Sequence, residues 1–110
     1  MKRQFLAACI ASLIALPAAA SSGDAWKEFS AEVQARCLGA IEGVMEKPKI
    51  VVDPFGSQSY GLAIIKGKAK GTKTEISQIC VFDKKNKTVE IGGELSRDAV
   101  KIDIPGAAAR

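Results

Sequence analysis

From Asp24 to Glu46 the apolar positions recur at intervals of three and four. Trp26, Phe29, Val33, Cys37, Ala40, Ile41 and Val44 share one face, and most charged residues of the stretch fall elsewhere. That period predicts an amphipathic helix. Asp24 is the expected N-cap, Glu28 lies favourably near the positive end of the helix dipole, and Pro48 closes the segment. Gly39 and Gly43, one turn apart, are expected either to let the helix approach a sheet or to mark fraying before Pro48.

Beyond Pro48 the period changes to two, the signature of strands. Ile50–Val52 reads as a short strand, and Asp53–Ser59 (DPFGSQS) as a turn-rich loop. Tyr60–Lys68 follows, with Tyr60, Leu62 and Ile64 on one face and Gly61, Ala63 and Ile65 on the other. After a turn at Lys70–Lys73, Thr74–Phe82 places Ile76, Cys80 and Phe82 opposite Ile79 and Val81. Asp83–Lys87 makes a hairpin turn in which Asn86 is best able to take positive φ. Val89 and Ile91 continue into a strand interrupted by Gly92–Gly93, and Ala99–Ile104 alternates as a further strand. The expected fold is α+β: one N-terminal helix packed on a four- to five-stranded antiparallel sheet. It occupies residues 21–104 as a single small domain, and residues 105–110 are expected to form a flexible tail.

Residues 1–20 have a different pattern. Lys2 and Arg3 precede a run from Phe5 to Leu16 that is almost wholly apolar, Pro17 breaks it, and Ala18–Ala20 are small. This is the layout of a secretory signal peptide cleaved near Ala20, and the run is shorter than the roughly 18 to 20 residues a membrane span needs. Leu6–Cys9 has the look of a lipobox. With eight residues before Cys9 and most of the apolar run after it, lipid anchoring there is not expected. The working chain is therefore expected to be exported, periplasmic or secreted, with 14 Lys and Arg against 12 Asp and Glu.

Export changes the reading of the cysteines. Cys37 and Cys80 survive cleavage, and in an oxidising compartment two such residues pair. No C-x-x-C spacing marks a redox site, and both lie among apolar neighbours that raise a thiol pKa. The expected disulfide ties the helix to the middle of the sheet.

The chain contains no histidine. That removes histidine-dependent triads, histidine zinc sites and the usual general base near neutral pH. Asp83–Glu94 has the length of an EF-hand loop but puts Lys85 and Lys87 at ligand positions, and Gly67–Gly71 lacks phosphate-loop spacing. No enzyme activity, cofactor or metal is expected.

Charge is unevenly placed. Residues 24–46 hold five acids and two bases, whereas residues 47–110 hold twelve bases and seven acids. Lysines at hairpins discourage edge pairing, and they also suit an anionic partner. Few aromatics and little arginine argue against nucleic acid. The candidate partner-binding residues are Phe55, Ser57, Gln58 and Tyr60 in the first loop, with Lys84, Lys85 and Lys87 in the hairpin. In size and export the chain resembles small bacterial periplasmic regulators, including those that restrain sensor kinases; the resemblance is one of class and no motif carries it. The expected function is a non-enzymatic interaction protein acting on an envelope protein. A binding module for an anionic surface or glycan is the alternative.

Overall fold

The computed structural model describes residues 21–105; the proposed signal peptide, Cys9 and residues 106–110 of the expected tail lie outside them. A helix, α1 (Ser21–Ile41), is followed by β1 (Met45–Val52), β2 (Tyr60–Ala69), β3 (Glu75–Asp83), β4 (Val89–Ile91) and β5 (Leu95–Ser96). The strands form one antiparallel sheet in the order β1-β2-β3-β4, and β5 pairs with β3 further along the edge that β4 also uses. The fold is α+β, one helix on a five-stranded antiparallel sheet.

α1 starts earlier and stops earlier than its apolar spacing suggests. Asp24 lies inside the helix, and Gly43 at φ 82° ends it, with Val44 N–H donating to the carbonyl of Ile41. A glycine in the left-handed region after the last turn is a common helix stop, so the chain is already a strand at Met45, three residues before Pro48. Pro48 is carried inside β1, where the register with β2 shifts between Glu46 and Lys49 and Lys47 takes φ 53°. β1 is an edge strand, and an edge with a bulge tolerates proline.

The face of the sheet turned to α1 is sealed. Val33, Cys37 and Ile41 of the helix pack with Met45, Ala63, Ile65, Ile76, Cys80 and Phe82, all buried. The close approach is made by glycines of the sheet, since nothing lies within 4 Å of where a Cβ on Gly39 or Gly43 would stand. A Cβ on Gly61 would come 2.7 Å from Val33 Cγ2 and 3.1 Å from Phe29 Cζ. Cys37 and Cys80 are disulfide-bonded with Cα atoms 6.0 Å apart, joining the apolar face of α1 near its C-terminal end to the centre of β3. Gln78 shares this face, buried, and its Nε2 donates to the carbonyl of Gly92 at 2.9 Å, bridging the break after β4.

The expected strand over Ala99–Ile104 is not one. After β5 the chain turns at Ser96, whose carbonyl accepts from Ala99 and Val100, and Val100–Pro105 runs without strand pairing. Its alternation survives as burial, with Val100 and Ile102 half-buried and Ile104 buried between exposed Lys101 and Asp103. The segment crosses the far face of the sheet beside Lys66, whose Nζ donates to the carbonyl of Ile102 at 2.5 Å. Alternation reports which side chains find cover; it does not report whether a sheet edge is free to pair.

Candidate functional site

The Asp53–Tyr60 loop is built by short-range hydrogen bonds. Asp53 Oδ1 accepts from the N–H groups of Phe55 and Gly56 at 3.1 and 3.0 Å. Those backbone donors, Gly56 first, hold the Asp53 carboxyl below its ordinary pKa, with the Lys84 charge adding to the effect. Gly56 takes φ 71°. Ser57 closes the turn: its N–H donates to the carbonyl of Tyr60 at 2.8 Å, and its Oγ accepts from Tyr60 N–H at 3.1 Å. Ser57 therefore shapes the loop, while Gln58 and Ser59 are exposed.

Lys84 clamps this loop from the neighbouring hairpin. Its Nζ donates to the carbonyls of Phe55 and Ser57 at 3.0 and 2.7 Å and sits 5.0 Å from the Phe29 ring centroid and 5.9 Å from that of Trp26. The ammonium satisfies two carbonyls and rests among aromatic rings, an arrangement that fixes it inside the chain. Above it the aromatics form a row. Phe55 meets Trp26 edge to face at 5.0 Å, Trp26 meets Phe29 at 5.8 Å, and Phe29 leans on Phe82 at 6.4 Å. The row starts in solvent, with Phe55 55% and Trp26 40% exposed, and ends at the fully buried Phe82.

The Asp83–Lys87 hairpin is an Asx-type turn. Asp83 Oδ1 accepts from Lys85 and Asn86 N–H at 2.8 and 2.9 Å, which holds its carboxyl below the usual range, Asn86 being the stronger donor. The positive-φ residue is Lys87, at 63°, and not Asn86. Asn86 is engaged with Asp83, so the left-handed position falls one residue later. There the Lys87 carbonyl accepts from Arg36, its Nζ pairs with Glu32 at 3.3 Å, and it lies 5.5 Å from the Phe82 ring. Lys87 thus ties the hairpin to α1.

The expected partner-binding residues separate into two groups. Ser57, Lys84 and Lys87 have intramolecular tasks, whereas Phe55, Gln58, Tyr60 and Lys85 present exposed side chains. Phe55 and Tyr60 do not form one surface. Phe55 joins Trp26 on the helix side, while Tyr60, paired with Asp83, belongs to the opposite face with Leu62 and Ile64. Trp26, which the helical spacing puts on the apolar face of α1, is 40% exposed one turn before Phe29 and stands at the rim of the core.

Among the described residues no group of three or more His, Cys, Asp or Glu is arranged to hold a metal, and no helix is long and apolar enough to cross a membrane. No family model, curated protein or solved structure matches the chain.

Proposed function

We propose that the chain is a small exported, periplasmic, non-enzymatic interaction protein that regulates an envelope protein, such as a sensor kinase, by docking the Trp26–Phe55 surface. The Cys37–Cys80 disulfide supports residence in an oxidising compartment. The observation that carries the docking is the pair of exposed rings in edge-to-face contact, held by the Lys84 clamp. Trp and Phe are enriched at the buried centres of interfaces, and rigid anchors lose little entropy on binding.

The test is capture of envelope proteins on the processed, oxidised chain across a salt series, with Phe55→Ala and Lys85→Ala baits in parallel. The expected result is one stoichiometric protein retained at high salt. Phe55→Ala should weaken it by roughly 30-fold, the effect of removing about 2 kcal/mol at a hot spot, and Lys85→Ala little. Diffuse material that is released by salt and indifferent to Phe55→Ala would sink this reading and favour an anionic surface or glycan. The observation favouring that second reading is the set Lys47, Lys49 and Lys68 around one shallow cleft, none with a carboxylate within 4.0 Å among the described residues.

A further inference from the structure

β1 is an open edge of the sheet, and the direction of its backbone groups follows from one hydrogen bond. Asp53 N–H donates to the carbonyl of Leu62 at 2.9 Å, continuing the register in which Val51 faces Ile64 and Lys49 faces Lys66. Successive residues of an antiparallel strand alternate in turning N–H and C=O toward a given neighbour. Lys49, Val51 and Asp53 therefore bond to β2, and Ile50 and Val52 turn their backbone groups outward. Those outward groups have no hydrogen-bond partner among the described residues. The next outward positions are Pro48 and Pro54, which have no N–H to offer. The edge is thus blunted at both ends, by Pro48 in its bulge and by Pro54 at the loop, around one short open stretch.

We infer that this stretch, Lys49–Asp53, pairs with the same stretch of a second copy, antiparallel about a twofold axis through Val51, joining the two sheets edge to edge. In that register Ile50 exchanges both backbone bonds with the second copy's Val52, and the symmetry repeats the exchange. Pro48 stands beyond the ladder opposite Pro54, so neither ring meets a bonded carbonyl. A shift of two residues either way sets Pro48 against Val52, or Pro54 against Ile50, and drives a ring into the ladder.

Side chains select the same register. Lys49 falls directly opposite the second copy's Asp53, twice. Lys49 has no carboxylate within 4.0 Å among the described residues. Asp53 accepts from Phe55 and Gly56 N–H through Oδ1, which leaves Oδ2 for an ammonium. The acids nearer the lysine end are already engaged: Glu46 accepts from Gly71 N–H at 3.2 Å, and Lys66 lies 3.0 Å from Glu75 and 3.8 Å from Asp103. On the helix side Ile50 and Val52, half-buried against the core, meet their counterparts and carry apolar cover across the junction. The disulfide centres α1 over β3, two strands in from this edge, so the helices of the two copies stand apart. Among the described residues the hydrogen bonds and ion pairs of Val100–Pro105 go to Lys66 and Ser96, away from the edge.

The paired stretch is about 17 Å long. That is short for a specific interface, and the dimer is weak, with a dissociation constant on the order of 1 mM. Pairing uses up the edge that forms it. The opposite edge is made of short β4 and β5 with a break between them, so assembly stops at two copies. The ladder and the Trp26–Phe55 docking surface use different residues, and each stands or falls without the other.

Disulfide trapping of the processed, oxidised chain reads both a weak dimer and its register. Val51→Cys puts two thiols across the axis on Cα atoms about 4.5 Å apart, within reach of a disulfide. Lys49→Cys puts them about 14 Å apart, and Ile79→Cys, at a side chain equally 45% exposed, lies away from the edge. At about 0.1 mM chain, Val51→Cys should crosslink at least tenfold faster, roughly, than either control. Rates are normalised to each thiol's reaction with a small disulfide, and peptide mapping checks that Cys37–Cys80 is intact. Val52→Pro added to Val51→Cys removes an outward N–H that bonds to nothing in the monomer. It should bring trapping down to the control rate with far-UV circular dichroism unchanged. Lys49→Glu added instead should slow trapping several-fold at low salt, because it opposes like charges twice. Trapping of Val51→Cys no faster than Ile79→Cys overturns the proposal, as does equal trapping of Lys49→Cys. So does a folded Val52→Pro variant that still traps at the full rate. Should Val52→Pro unfold the chain, Lys49→Glu decides, and undiminished low-salt trapping overturns the pairing.

Discussion

The two faces of one sheet are made by alternate residues of the same strands, and they have opposite fates. Toward α1, Gly61, Ala63 and Ile65 of β2 lie beside Phe82, Cys80 and Gln78 of β3, under a helix that comes within van der Waals distance of a glycine. Away from it, Leu62 and Ile64 lie beside Val81 and Ile79, with only an unpaired C-terminal segment over one end. Apolarity is similar on both faces; what differs is cover. Burial, and hence stability, follows from the helix, the disulfide and the small residues that let them approach, so substitutions on the two faces should separate by several-fold in cost.

The largest effect is expected at the bond that joins the helix to the inner face. Cys37→Ala with Cys80→Ala removes a crosslink spanning 43 residues, worth roughly 3–4 kcal/mol on the chain-entropy account, and opens space at two fully buried positions. Urea unfolding of the double variant should show that loss or no folded baseline at all. A loss below about 1 kcal/mol would mean that the helix holds the inner face without the bond.

Gly61→Ala is the next test. Its Cβ meets Val33 and Phe29, and overpacking of this kind costs about 1–3 kcal/mol. Gly39→Ala is the paired control. It adds a methyl with no atom within 4 Å, in the last turn of a helix, and should stabilise by roughly 0.5–1 kcal/mol. Opposite signs from the same chemical change would locate the close approach in the sheet. Equal signs would break the comparison.

Much of this architecture was legible from periodicity, and the reasons for the exceptions are physical. The faces of β2 and β3 and the disulfide follow from a strict period of two, which one-sided burial enforces. The end of α1 was misplaced because Val44 continues the helical spacing by accident. The conformation of Gly43 decides the stop, and a glycine's φ cannot be read from its neighbours. Trp26 at the rim and the inward tasks of Lys84 and Lys87 depend on where three elements end relative to one another. A charge run looks the same in sequence whether its ammonium groups face water or carbonyls.

On the open face the expected costs are smaller. Ile79→Thr trims a side chain that is 45% exposed and keeps a β-branched residue in the strand, so the chain should lose less than about 1 kcal/mol. A loss comparable to that of Gly61→Ala would show that the far face contributes to the core and is not spare surface.

The smallest effect is set by pH. Asp53 and Asp83 are held below their ordinary pKa by backbone donors and Glu75 by the Lys66 hydrogen bond. For carboxyls lowered on folding, the folded chain binds fewer protons than the unfolded one. Their contribution is therefore fully present above the unfolded pKa near 4, roughly, and is lost as pH falls through the lower folded values. All three are on the far face or in the turns, where solvent screens them. Urea midpoints should be flat from about pH 8 to 5 and decline only below about 4. Asp83→Asn should flatten part of that decline by lowering the neutral-pH midpoint by the same small amount. A midpoint that already falls between pH 7 and 5 would require a titrating group with a raised pKa, and in a chain without histidine that would point to a buried carboxyl on the sealed face, where none is found among the described residues.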